Sequence, residues 1–321
     1  MVAIGDAIVD VIATCDDSFI VERGLTKGSM RLLSTAEADD LYAAMGPARE
    51  VSGGSAANSM AGLAALGLRA GFVGQVANDQ LGEIFAHDMT SLGVTFETPR
   101  LSGGPPTGRC LILVTPDAQR TMNTSPGASH ELTPEALDED QIRSAAVTFL
   151  EGYLWGPERP RAAMLRAAEI ARAAGRTVAF TLSESLCIAG RREGVLGMIE
   201  RGTVDILFAN EDEVRHLTGL DDLGECLAEL SGKIPTLVVT RGAAGALAIE
   251  GGERVDIAAA PVAKVVDTTG AGDLFAAGFR AARCRGAPIR RCLDAGSLAA
   301  AEVISHFGAR PETDLRALVR L

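Results

Sequence analysis

Several short stretches of this chain combine acidic or amide side chains with glycines, and the richest is Val265-Val266-Asp267-Thr268-Thr269-Gly270-Ala271-Gly272-Asp273-Leu274-Phe275. Two β-branched residues read as the end of a buried strand, a small glycine-rich turn follows, and Leu274-Phe275-Ala276-Ala277-Gly278-Phe279 opens a helix. A turn into a helix N-terminus is an anion site, because free backbone N–H groups point outward there and the helix dipole adds positive charge. Gly270 and Gly272 let the backbone approach a phosphate with no Cβ in the way. Asp273 would repel a phosphate, so its presence makes sense if it accepts the proton of an attacking hydroxyl. The combination suggests phosphoryl transfer from a nucleotide to an alcohol with Asp273 as base. The plainer alternative is an acidic residue in a first helical turn.

Other stretches repeat the theme. Val51-Ser52-Gly53-Gly54-Ser55-Ala56-Ala57-Asn58 runs into an Ala/Gly/Leu helix with Asn58 one turn in, where its donor and acceptor groups suit hydroxyl recognition. Plain helix entry is the alternative. Asn210-Glu211-Asp212-Glu213 is an acidic cluster at a strand end. It reads equally as a site for hydrated Mg²⁺ beside a phosphate or as an acid-rich first helical turn. At Thr240-Arg241-Gly242-Ala243-Ala244-Gly245, Gly242 lets a nucleotide lie against the backbone or makes a tight turn. Asp6 and Asp10 interrupt the apolar run Val2 to Ile12, read as a central strand with carboxylates near its end, where open α/β sheets bind ligands.

These residues need a scaffold. The chain has 321 residues, enough for one large α/β domain, and its 47% apolar content can bury a sizeable core. Aromatics are only 4%, which favours helices packed closely on a parallel sheet. From residue 145 strands and helices alternate, which predicts a mostly parallel sheet with helices on both faces. Residues 14 to 50 break that rhythm. Two strands, Gly108 to Thr115 and Arg120 to Asn123, flank Pro116-Asp117-Ala118-Gln119 as a hairpin. The segments 14–50 and 94–126, with Val94 to Glu97 included, are expected to form a small β-sheet lid over the strand ends. No linker divides the chain, so 1–321 reads as one domain.

A net charge of −12 argues against a nucleic-acid surface and weakens an anionic membrane as partner. No signal peptide or membrane helix is expected, because Asp6 and Asp10 break the first apolar run. Six cysteines with no C-x-x-C pair, Cys187 among them, suggest reduced thiols in a cytoplasmic protein. The four histidines show no zinc spacing.

Taken together and in order, Gly53-Gly54 with Asn58, Asn210-x-x-Glu213, Thr240 with Gly242, and Asp267 to Asp273 resemble the ribokinase-like (PfkB) family of carbohydrate and nucleoside kinases. The resemblance implies its three-layer fold and an ATP-dependent kinase. Asp273 would be the base, and the N–H groups of Gly270, Ala271 and Gly272 the anion hole. Asp10, Gly54 and Asn58, with Asp6, Gly53 and Glu151 beside them, would hold the acceptor. Asn210 and Glu213 would order Mg²⁺. Ser183, Asn210, Thr240, Gly242 and Gly245 would line the ATP site. Asp267 and Thr269 would fit a monovalent cation such as K⁺. Gly5-x-x-x-x-Asp10, Glu151-Gly152-Tyr153 and His306-Phe307-Gly308-Ala309-Arg310-Pro311 are similar to the adenosine-kinase-like branch. Asp6 stands where that branch usually has Asn, and Ser183 near where relatives often have Asn. The expected acceptor is the 5′-hydroxyl of adenosine. A free sugar such as ribose or fructose is the alternative, and a non-catalytic nucleoside- or nucleotide-binding protein the reading from another class. A lid with exposed strand edges can pair with a second copy.

Overall fold

The computed structural model describes residues 1–117, 119–183 and 190–321; Ala118 of the hairpin loop and the stretch 184–189, including Cys187, lie outside the described residues. In chain order the strands are β1 (Val2–Ile4), β2 (Ile8–Thr14), β3 (Met30–Leu32), β4 (Arg49–Ser52), β5 (Ala70–Val73), β6 (Val94–Phe96) and β7 (Gly108–Val114). They continue with β8 (Arg120–Ser125), β9 (Val147–Glu151), β10 (Thr177–Thr181), β11 (Ile206–Asn210), β12 (Thr236–Thr240), β13 (Ala246–Glu250) and β14 (Glu253–Ile257). A nine-stranded sheet runs β14-β13-β12-β11-β10-β9-β1-β5-β6, and a five-stranded sheet runs β3-β8-β7-β2-β4. The large sheet is parallel from β12 to β6, with the antiparallel pair β13 and β14 on one edge. This is the expected α/β architecture of a flanked, mostly parallel sheet with a small second sheet.

Alternate residues of the large sheet enter two cores. Ala3, Phe149, Phe208 and Val238 face helices Ser55–Ala65, Ala271–Cys284 and Ile289–Val303. Leu150, Phe180, Leu207 and Leu237 face helices Glu158–Ala173, Arg192–Glu200 and Leu223–Ser231. Near-continuous burial along these strands is what a sheet covered on both faces requires.

Three local expectations are corrected. The run Val2 to Ile12 is not one strand: β1 belongs to the large sheet and β2 to the small one. Between them the Asp6 N–H donates to Glu151 Oε2 at 3.0 Å instead of to a neighbouring strand, so the ladder stops there. Val94 to Glu97 does not join the small sheet; β6 pairs in parallel with β5 at the far edge of the large one. Val265-Val266 end no strand. Val265 is exposed, and the segment hangs from the Ile304 carbonyl, which accepts from Val266 N at 2.8 Å. The small sheet thus draws on both expected lid segments but also takes β2, which lies almost wholly before them.

The described cysteines are free, with Cys110, Cys226 and Cys292 buried. No described helix is long and apolar enough to cross a membrane.

Gly245, expected at the nucleotide, holds up the edge hairpin. It sits at φ +94, and a Cβ there would collide with the Ile257 carbonyl oxygen. Gly245→Ala is expected to lose about 1–3 kcal/mol, read as a lower urea midpoint; an unchanged midpoint would contradict this assignment.

Candidate active site

A cleft of about 990 Å³ opens between the two sheets. Two helix N-termini meet in it. Gly54 caps helix Ser55–Ala65, and Gly270 caps helix Ala271–Cys284 at φ +78. Asp273, in the first turn of the second helix, is held by the first. Ser55 Oγ donates to its Oδ1 at 2.5 Å and Asn58 Nδ2 to its Oδ2 at 2.9 Å. Ser59 Oγ donates to the Asp273 carbonyl at 2.9 Å. Each carboxylate oxygen retains acceptor capacity, because it has more than one lone-pair site. Burial pushes the Asp273 carboxyl above its ordinary range, while the Ser55 and Asn58 hydrogen bonds and the Arg310 and Arg280 charges pull it back.

The Asn58 amide nitrogen is thus taken up by Asp273, while its Oδ1 is buried with no partner among the described residues. Among the described residues the N–H groups of Gly270, Gly272 and Asp273 have no protein acceptor, as an anion hole requires. That of Ala271 donates to the Thr268 carbonyl at 3.2 Å. Ser55 was not singled out from sequence, although a serine directly after paired glycines was a signal.

Asp10 projects from β2 between Ile8 and Ile12, on the face of the small sheet that looks into the cleft. Gly53 does not line the cleft, but it makes room for Asp10: a Cβ there would stand 2.5 Å from the Asp10 Cγ. Burial pushes the Asp10 carboxyl up to about 6, opposed by Arg310 and Arg120 and assisted by Asp273. Asp6 is buried and accepts from Ser129 Oγ at 2.9 Å; burial raises it, and His130 and Ser129 oppose that. Glu151, at the end of β9, is fully buried. Its Oε2 accepts from the N–H groups of Asp6 at 3.0 Å and Ala56 at 3.2 Å, and its Oε1 has no partner among the described residues. Burial, then Asp6 and Asp273, raise it well above the ordinary range.

At the other end of the cleft lie Ser183, Asn210, Glu213 and Thr240. Ser183 has φ +67, rare for a residue with a side chain, and its Oγ accepts from the Gly152 N–H at 3.1 Å. Gly242 and Gly245 are not on the cleft wall. Asn210 and Glu213 form a reciprocal cap on helix Glu211–Thr218: Glu213 N donates to Asn210 Oδ1 at 2.9 Å and Asn210 N to Glu213 Oε2 at 2.9 Å, with Asn210 Nδ2 adding a bond to Glu213 Oε1 at 2.8 Å. The helix-cap reading of this pair is what the structure shows, and the cap faces the cleft. No group of three metal-ligating side chains occurs among the described residues. One carboxylate and one amide suit a Mg²⁺ that keeps its waters and is held mainly by phosphates.

Asp267 and Thr269 are occupied otherwise. The Asp267 carboxylate takes Thr269 Oγ1 at 2.7 Å, Gly308 N at 2.9 Å and Arg120 Nη2 at 2.8 Å. This does not fit a monovalent cation at that carboxylate; Arg120, reaching over from β8, supplies the positive charge. Arg310 was also unassigned from sequence. Its guanidinium donates to Ala57 O at 2.8 Å and Ser52 O at 2.9 Å, tying β4 to the helix that holds Asp273. Arginines that act from other elements have no local sequence signal.

Residues 2–315 match the model of the pfkB family carbohydrate kinases. The chain is 47% identical to the crystallised adenosine kinase of Sinorhizobium meliloti, covering 99% of this chain and 98% of that one with a TM-score of 0.92. It is 43% identical to a probable sugar kinase of Rhizobium etli, covering 99% and 97% with a TM-score of 0.93. The ATP-dependent ribose-1-phosphate kinase of Halopiger xanaduensis is 32% identical over 302 residues, 90% of this chain and 94% of that protein.

Asp10 gives a pH test. Its folded-state pKa of about 6 lies above the unfolded value of 3.8, so its contribution to stability is fully present below pH 3.8 and is lost as pH rises through 6. Asp10→Asn, neutral throughout, is expected to melt above the wild type at pH 8 and to lose that advantage near pH 4. A Tm difference that does not change with pH would contradict the buried, ionising carboxylate.

Proposed function

The chain belongs to the pfkB family of carbohydrate kinases, and from that premise we propose that it transfers the γ-phosphoryl group of ATP to the 5′-hydroxyl of adenosine, giving AMP. That it is an ATP-dependent phosphotransferase follows from the family. The choice of acceptor rests on the wall around Asp10: Ile8, Met30, Leu32, Ile112 and Met122 line the cleft from the small sheet. Such a wall gives sugar hydroxyls few hydrogen-bond partners, whereas a flat purine packs against it while its ribose reaches Asp10 and Asp273. The likeness to the Sinorhizobium adenosine kinase over nearly the whole chain supports the same acceptor.

In this reading Asp10, the Asn58 Oδ1 and Glu151 orient the ribose, and Asp273 takes the proton as the hydroxyl attacks. The free N–H groups of Gly270, Gly272 and Asp273 stabilise charge on the transferred group. Ser183, Asn210 and Thr240 line the path of the ATP phosphates. Mg²⁺ bound with ATP neutralises phosphate charge, and Asn210 and Glu213 would hold it through its waters. Alignment and charge neutralisation supply most of the catalysis in such a reaction. No role for a monovalent cation is proposed. The action takes place in the cytoplasm, with the lid edge as a surface for a second copy.

A free sugar such as ribose or fructose is the second reading, favoured by Glu151, whose buried Oε1 awaits a donor at the cleft floor.

ADP release with adenosine, ribose and fructose decides between them. Adenosine is expected to have the highest kcat/KM. Asp273→Asn is expected to lose at least about a hundredfold in kcat while still binding adenosine. Turnover of ribose or fructose alone would replace the nucleoside reading. Tight adenosine binding with no turnover of any acceptor would mark a binding protein, and near-normal turnover by Asp273→Asn would sink the assignment of the base.

A further inference from the structure

Arg280 is only 1% exposed, and it lies in helix Ala271–Cys284, the helix that begins at the anion turn. It sits seven residues after Asp273, on the same helical face. Its Nε donates to the Ala276 carbonyl at 2.8 Å, so the side chain folds back one turn toward the helix N-terminus and toward Asp273. The guanidinium carbon lies 3.6 Å from the centroid of the Phe149 ring and 5.9 Å from that of Phe208, which forms part of the cleft wall. Among the described residues neither Nη1 nor Nη2 has a hydrogen-bond partner.

A buried guanidinium with two bare nitrogens is a cost to folding that stacking on one ring only partly offsets. Its neighbours are apolar, and an uncharged chain of similar length would fill the same space. What the charge can do is act at a distance, because Coulomb interactions are weakly screened inside a protein. The groups that face Asp273 come from several elements: Asp10 from β2, Glu151 from β9 and Arg310 from the C-terminal segment. Arg280 in turn feels Cys284 and the Met1 amino group besides Asp273. Burial opposes ionisation of Asp273; the Ser55 and Asn58 hydrogen bonds, then the Arg310 and Arg280 charges, support it, and of the two arginines only Arg280 has no hydrogen-bonded acceptor for its Nη groups among the described residues.

We propose that Arg280 is a positioning residue whose unpaired charge, held beneath the cleft floor, keeps Asp273 ionised without touching either substrate. This rests on the reading of Asp273 as the base. Burial lowers Arg280 only to about 9, so it is charged at neutral pH.

The test compares the wild type with Arg280→Met and Arg280→Lys. The Asp273 carboxyl carbon is titrated by NMR, with Asp273→Asn identifying its signal. The pH profile of kcat/KM is measured with ATP and adenosine. Removing the charge is expected to raise the Asp273 pKa and the acid limb by about one pH unit, a loss of about tenfold on that limb. Arg280→Lys should stay within about half a unit of the wild type. The Tm of Arg280→Met should be no lower, since an apolar chain replaces an unpaired buried charge. Should Arg280→Met fail to fold, Arg280→Gln removes the charge with a polar chain and is read in the same way. An unmoved Asp273 titration in the uncharged variant overturns the proposal. Near-normal turnover by Asp273→Asn would instead overturn the reading of the base, whatever the titration of Arg280→Met shows.

Discussion

The site depends on how closely two helices approach. Ser55 and Asn58 reach Asp273 across more than two hundred residues of sequence because helix Ser55–Ala65 packs directly on helix Ala271–Cys284. At their crossing a Cβ on Gly62 would stand 2.7 Å from the Leu274 Cδ1 and 2.9 Å from the Ala277 Cβ. The contact is made of Ala and Gly because larger side chains would push the helices apart and take the hydroxyl and amide out of reach of the carboxylate. On the other side Gly278 lies against the Ala295 carbonyl of helix Ile289–Val303, so the helix that bears Asp273 is clamped from both flanks.

Charge is the second constraint. The protein carries a net charge of −12 and crowds Asp6, Asp10, Glu151 and Asp273 around one cleft. All four carboxyl groups are pushed up, chiefly by burial. Arg120, Arg280 and Arg310 approach this cluster from the small sheet, from beneath the cleft and from the C-terminal segment. They give an acidic protein the local positive charge that handling phosphates demands. Arg310 also ties β4 to helix Ser55–Ala65, so part of the electrostatics doubles as a joint between the two sheets.

Much of this was legible along the chain, for specific reasons. Gly270, Gly272 and Asp273 lie within one turn and helix start, where local backbone rules dictate free N–H groups and an acidic first turn. The Asn210–Glu213 pair is a three-residue spacing, and its cap geometry is as local as its spacing. The alternation of strands and helices after residue 145 predicted the parallel sheet because each apolar period has only one way to be buried. The run Val2 to Ile12 misled because an apolar stretch signals burial but not the sheet it enters. Val94 to Glu97 failed for the same reason: a three-residue strand fits either edge.

The sequence by itself determined most element types, the glycine turn with its acid, and the family whose motifs it carries in order. Those depend on contacts within a few residues. Only the tertiary structure decided that Asn58 and Ser55 hold Asp273, that Arg120 takes Asp267, and that the Arg280 Nη groups lie buried with no partner among the described residues. Each of these joins residues far apart in the chain, and which arginine meets which carboxylate follows from strand order and helix separation, which side-chain spacing along the sequence does not encode.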